Sequence, residues 1–228
     1  MNLHTSLVRV VLSSLAVSGG FTILVHAQDM VSVSPDLCKV RLDNEWVRVT
    51  EVRGKAGDKM PLHSHPAYLT YFFTSGKARF TNADGKSTDR EIKANTARWS
   101  EPEKHSVEFL SPEAFTLVVE VKKPTGKKAP AGPDPAKVAG NAYKVVLEND
   151  QVRLLEVRAK SGTKIPMHAH PAYVAYAVND MKAEFVDDTG KTQQVEEKAG
   201  HTIWKEPETH AVNIQSGDAR VLVIELKQ

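Results

Sequence analysis

Cysteine is all but missing from this chain of 228 residues: Cys38 stands alone. A single thiol excludes an internal disulfide framework and any cysteine-based zinc cage. A surplus of one charge is missing too. Lys and Arg number 30 against 28 Asp and Glu, a net charge of +2. That leaves no basic excess of the kind that grips a phosphate backbone, so nucleic acid is not an expected partner. Beyond residue 27 no apolar run approaches the length of a membrane span. Nor does any later stretch sustain the 3.6-residue periodicity of an amphipathic helix.

Residues 1–27 read as a secretory signal peptide. Arg9, with no acidic residue, precedes an apolar stretch from Val10 to Val25, and Val25-His26-Ala27 places small or modest side chains at a cleavage site. Ser13, Ser14, Ser18, Gly19 and Gly20 dilute the stretch and Asp29 follows it closely, so cleavage before Gln28 is expected rather than a stable membrane span. A periplasmic or secreted protein follows. Removing the leader takes His4 and His26 from the nine histidines and leaves seven.

The remainder repeats itself. A shift of 105 residues lays Lys39–Lys122 over Lys144–Lys227 without a gap, with about 39 of 84 positions identical. Such a period calls for two domains of one fold rather than a solenoid. The chain divides into the leader 1–27, a first module 28–123, a Pro/Gly/Lys-rich and by composition solvated linker 124–141, and a second module 142–228. Branched residues fill Trp46–Val52, Val152–Val157, Phe115–Val121 and Arg220–Leu226, and turn signals such as Asn82-Ala83-Asp84-Gly85 separate them. Short strands punctuated in this way predict an all-β sandwich or jelly roll in each module, stabilised further if the copies pack together.

Six of the seven remaining histidines obey the shift: His63/His168, His65/His170 and His105/His210; only His201 has no partner. In a strand, residues i and i+2 face one side, so each His-x-His pair points together. One strand histidine is ordinary. Three matched across copies that have diverged at about half their positions point to metal binding, since neutral imidazole suits Fe, Zn, Cu and Ni. Each His-x-His is followed by Pro-Ala-Tyr-x-x-Tyr. Tyr71 and Tyr176 carry two readings: an aromatic girdle packing the barrel, or phenols near a metal that orient substrate or donate a proton. Strand parity turns these two inward with the histidines unless a bulge resets the phase. The remaining Lys and Arg are scattered and read as solvated.

These motifs resemble the cupin superfamily, and their duplication resembles a bicupin, in particular the quercetinase-like and three-histidine cupin dioxygenases. Gly57 and Gly162, each followed by five residues and then His-x-His, with Pro61 and Pro166 between, match the start of the first cupin motif. Gly200, His210 and Asn213 match part of the second, where the first copy has Asn95, His105 and Glu108. His168, His170 and His210 therefore form the better-matched site, with His63, His65 and His105 as the second. The resemblance implies two tandem jelly-roll β-barrels, each holding a divalent transition metal, Fe2+ first, with Mn, Ni, Cu and Zn compatible.

The departure is the glutamate the motif places after His-x-His. Leu69 or Thr70, and Val174 or Ala175, stand there instead. Glu101, Glu103, Glu206 and Glu208 lie near the third histidine but on a turn, and read as solvated. Three neutral ligands leave the ion's charge uncompensated and several positions open, which favours a small anionic chelating substrate such as an enolate, phenolate or thiolate. An exported metal-dependent oxidoreductase of the dioxygenase type is the first expectation. A Lewis-acid lyase or isomerase, and a non-catalytic periplasmic binder of metal or small molecules, fit the same residues. A homo-oligomer formed through barrel packing is also compatible with the sequence.

Overall fold

The computed structural model describes residues 28–227; the signal peptide expected at 1–27 lies outside the described residues. The first module runs through β1 (Gln28–Asp29), a single helical turn α1 (Met30–Val33), β2 (Cys38–Asp43), β3 (Val47–Gly54), β4 (Lys59–His65), β5 (Tyr68–Phe72), β6 (Gly76–Asn82), β7 (Ser87–Ile92), β8 (Thr96–Ser100), β9 (Glu103–Phe109) and β10 (Ala114–Val121). The second repeats it: α2 (Pro135–Val138), β11 (Tyr143–Glu148), β12 (Val152–Ala159), β13 (Lys164–His170), β14 (Tyr173–Ala177), β15 (Met181–Asp187), β16 (Thr192–Glu197), β17 (Thr202–Lys205), β18 (Glu208–Ser216) and β19 (Ala219–Leu226). Each module is a two-sheet jelly roll, as expected. The front sheets are β1-β4-β9-β6-β7 and β13-β18-β15-β16; the back sheets are β2-β3-β10-β5-β8 and β11-β12-β19-β14-β17.

Strand alternation explains how the modules meet. Along β10, Leu117 and Val119 point one way and Thr116, Val118 and Glu120 the other; β19 repeats this with Leu222 and Ile224 against Val221, Val223 and Glu225. A sheet with only one apolar face would alternate with polar residues, whereas these strands carry apolar residues on both faces. The two back sheets therefore pack on each other. Val47, Val49, Leu69 and Leu117 of the first module share one buried cluster with Leu154, Val174, Leu222 and Ile224 of the second. Separate clusters fill the interiors, around Val52, Met60 and Val107 and around Leu155, Ile165 and Val212. Trp46 and Trp204 stack across the edge with centroids 6.4 Å apart.

One position shows why the copies differ at this seam. Gly200 has φ +81°, and a Cβ there would meet the Arg41 guanidinium at 2.6 Å. Its counterpart Asn95 adopts φ 60° and uses its side chain, accepting a hydrogen bond from Arg220. Asn is among the few non-glycine residues that tolerate this region.

The equivalence of the copies extends upstream of Lys39 and Lys144. Asp29 caps α1 and pairs with Arg48, and Asp134 caps α2 and pairs with Arg153. Gln28 lies beside His63 in β4, and Ala169 N donates to Pro133 O. So the latter part of the segment read as solvated linker is a strap across the second module, with Pro135 and Ala139 buried.

Candidate metal centre

β4 and β9 pair antiparallel with His63 opposite His105, and β13 and β18 with His168 opposite His210. The alternation within β4 and β13 brings His65 and His170 to the same side. In each module the three imidazole ligand atoms lie within 4.8 Å of one another, and all six histidines are buried. The two triads are near-superposable: ring centroids are 4.8, 4.7 and 5.3 Å apart in the first and 4.8, 4.6 and 5.3 Å in the second.

The outer hydrogen bonds fix which nitrogen is free. His63 Nδ1 lies 2.7 Å from Pro61 O, and His168 Nδ1 2.7 Å from Pro166 O. A carbonyl only accepts, so Nδ1 carries the proton and Nε2 keeps its lone pair. His65 Nδ1 is 2.8 Å from Glu120, and His170 Nδ1 2.6 Å from Glu225. A carboxylate behind a ligating imidazole sets its orientation and raises its basicity. Among the described residues the Nδ1 atoms of His105 and His210 are buried without a well-aligned hydrogen bond, and Glu103 and Glu208 stand 3.6 and 3.2 Å away. Burial, with the neighbouring imidazoles adding to it, pushes His105 and His168 down to about 4 and also lowers His63 and His210. Buried imidazoles whose outer bonds occupy Nδ1 at His63, His65, His168 and His170 and leave Nε2 free for a ligand, joined by His105 and His210, fit a divalent transition metal.

Glu120 and Glu225 escaped the sequence reading. Their signal is a carboxylate kept in both copies of a largely apolar closing strand, on the inward face. Glu120 is 1% exposed and is also paired to Arg48 at 2.8 Å. Glu120→Gln keeps an acceptor for His65 but loses the charge, and is expected to weaken divalent-metal affinity of the first module about 10–100-fold. Titration calorimetry of a variant with an unchanged circular dichroism spectrum checks this.

Tyr71 and Tyr176 are not in the centres. β4 lies in the front sheet and β5 in the back sheet, so the chain crosses between layers at Pro66-Ala67 and the parity that links His63 to His65 stops there. Tyr71 Oη instead reaches Glu156 at 3.2 Å, and Tyr176 Oη reaches Glu51 at 2.6 Å, both across the seam between modules. The inward tyrosines are Tyr68 and Tyr173, which lie against His65 and His170 and donate to Glu103 and Glu208 at 2.6 Å each. Those glutamates are accordingly half-buried members of the centre rather than solvated. Burial alone would raise Glu208, but the His210 ring and the Tyr173 hydroxyl outweigh it and hold it at about 2. Glu101 and Glu206 are exposed and accept from Trp99 and Trp204.

A cavity leads to each triad. His63, His65 and His105 line the first with Tyr68, Phe80, Arg90 and Arg98. His170 and His210 line the second with Tyr143, Tyr173, Ile203 and Lys205. The positions of the missing glutamate open onto these spaces as Thr70 and Ala175. The motif residues that favoured the second copy serve elsewhere: Gly200 makes room for Arg41, and Asn213 donates to Glu184 at 2.9 Å.

No protein-family model matches the sequence, and no curated protein is similar to it. Solved structures are similar in shape. AerE from Microcystis aeruginosa has a TM-score of 0.58 at 13% identity, over 84% of this chain and 98% of that one. Oxalate decarboxylase from Bacillus subtilis at pH 4.6 has a TM-score of 0.60 at 15% identity, over 83% of this chain and 74% of that one. A second structure of that enzyme, concerned with its Mn(II) centres, has a TM-score of 0.57 at 13% identity, over 84% and 76%. The fold is that of a bicupin. The bicupin barrels each present one triad, and a divalent metal is the group that their donors fit.

Proposed function

We propose that this bicupin is a metal-dependent enzyme acting on a small anionic chelating substrate, with oxygen-dependent, dioxygenase-type oxidation as the first reaction class. The observation that carries the reading is the first cavity. Three buried imidazoles stand within it, and Arg90 and Arg98 line it, neither in a salt bridge among the described residues, with Arg98 helping to hold Glu103 below the usual carboxylate range. Arg90 lies over the Phe80 ring at 4.5 Å, and Phe80 in turn meets His105 at 5.6 Å, so one guanidinium is stacked beside the triad. A planar guanidinium suits a carboxylate, enolate or phenolate. A bound divalent ion would supply an electrophilic centre with open positions for substrate and oxygen. The chain's own part is to hold the anion with Arg90 and Arg98, to exclude water with Phe72, Phe80 and Val118, and to hold the Tyr68 hydroxyl as a donor to Glu103.

Fe2+ is the metal proposed for oxygen chemistry. The likeness to oxalate decarboxylase, with its Mn(II) centres, supports a second reading: Mn(II) and cleavage of a small carboxylate without net oxidation. Metal analysis and an oxygen electrode separate the two. Iron-loaded protein is assayed against flavonols, β-diketones and small thiols, and manganese-loaded protein for carbon dioxide release from oxalate. Silence in every assay with tight metal retention would sink the enzyme reading and leave a binder. For whichever substrate is turned over, Arg90→Ala with Arg98→Ala is expected to raise KM about tenfold or more while kcat changes less, since each charged hydrogen bond is worth about 1.5–3 kcal/mol. Export is part of the proposal and rests on residues 1–27. A mature N-terminus at Gln28 in protein recovered from periplasm or medium tests it.

A further inference from the structure

The triads are near copies, but the atom each offers to a metal is not equally free. The Tyr143 hydroxyl lies 3.0 Å from His168 Nε2. Because Pro166 O takes the Nδ1 proton, Nε2 is an acceptor and Tyr143 donates to it. That nitrogen is the one His168 would give to a cation. At the equivalent place the first module has Cys38, whose thiol points to Met30 O at 3.9 Å. The cavities differ accordingly. All three histidines line the first, whereas Tyr143 stands with His170 and His210 in the second, where His168 is absent from the lining. The walls have diverged in the same sense: Val195 and Ile203 occupy the places of Arg90 and Arg98.

We propose that the two centres are inequivalent in metal affinity, with Tyr143 capping the His168 lone pair so that the first module is the tighter site. The inference rests on reading the triads as metal centres. For an ion to enter the second, a buried hydrogen bond must break and leave the Tyr143 hydroxyl, on a side chain 5% exposed, without its acceptor. Among the described residues the carboxylates around it already have donors: Glu225 accepts from His170 at 2.6 Å, and Glu208 from Tyr173 at 2.6 Å. In the first module no such bond is broken among the described residues.

The test is calorimetric titration of Mn(II) into the metal-stripped full chain. Two binding events are expected, and His63→Ala with His65→Ala removes the tighter. Tyr143→Phe keeps the ring and removes the hydroxyl, so the weaker event should tighten about tenfold or more. Tyr143→Leu, with thermal melts of each variant, guards against a packing defect in either one. If both variants leave the weaker event unchanged, the cap is refuted. If both weaken it, Tyr143 is a donor to the ion and the proposal is equally overturned. Loss of the tighter event in His168→Ala rather than His63→Ala also overturns it. Absence of any Mn(II) heat in the unmodified chain is a different failure: it removes the metal reading, and this inference with it.

Discussion

With His63 and His65 both changed to alanine, the chain is expected to bind one divalent ion fewer and to lose turnover of any substrate the first cavity accepts. A single remaining imidazole, His105, cannot hold the ion. Losing an outer partner alone weakens metal affinity about 10–100-fold, so losing two ligands should exceed a hundredfold. The fold should survive, because the charge behind the site stays compensated. Glu120 loses His65 but keeps Arg48 at 2.8 Å, and the Pro61 carbonyl is one acceptor on an otherwise intact strand. Metal content by elemental analysis, measured beside circular dichroism, reads the two effects separately. The matched variant His168→Ala with His170→Ala isolates the other centre. Unchanged stoichiometry in both variants would show that the triads are buried core histidines and nothing more.

The histidines were legible because their signal is local and doubled. Period-two alternation holds within β4 and β13, and the shift of 105 repeats each ligand, so the sequence could pair His63 with His65 and both with His105. The duplicated all-β fold was legible for the same reason. What the sequence hid are relations that cross between layers or break the repeat. Tyr71 and Tyr176 were turned the wrong way because strand parity has no meaning once the chain leaves one sheet for the other at Pro66 or Pro171. Glu103 and Glu208 looked solvated because the phenols that hold them come from β5 and β14, strands of the opposite sheet. Arg90 and Arg98 looked like ordinary surface charge because only the barrel's curvature brings them to the cavity. Tyr143 had no signal at all. It lies just upstream of the matched stretch, opposite a cysteine, and its role exists in one copy only.

The seam between the modules should be the first part of the fold to fail, and Glu51 is where it is most exposed to a single change. Glu51 is 2% exposed. It accepts from Tyr176 of the other module at 2.6 Å and from Arg41 at 2.9 Å, while Gly200 leaves the space that lets Arg41 reach it. Glu51→Ala strands a guanidinium and a phenol against an apolar interface. Breaking a buried pair from one side costs about 3–5 kcal/mol, and the lower end applies because the Arg41 side chain is 22% exposed. For a chain of this size about 3 kcal/mol lowers Tm by roughly 6–12 °C. Glu51→Gln, which keeps an acceptor for Tyr176, should lose clearly less. Acid should act on the same group. Burial alone would raise Glu51, but Arg41 and Tyr176 outweigh it and hold it below the usual carboxylate range. A depressed carboxylate contributes its full stability above its unfolded pKa, and the contribution is lost as pH falls through the folded value. The Tm difference between the unmodified chain and Glu51→Ala should therefore be full at pH 7 and shrink as the pH drops below about 4.5. Calorimetric scans of the two proteins across that range measure it. A difference that does not change with pH would mean that the loss comes from packing at the seam and not from the charge.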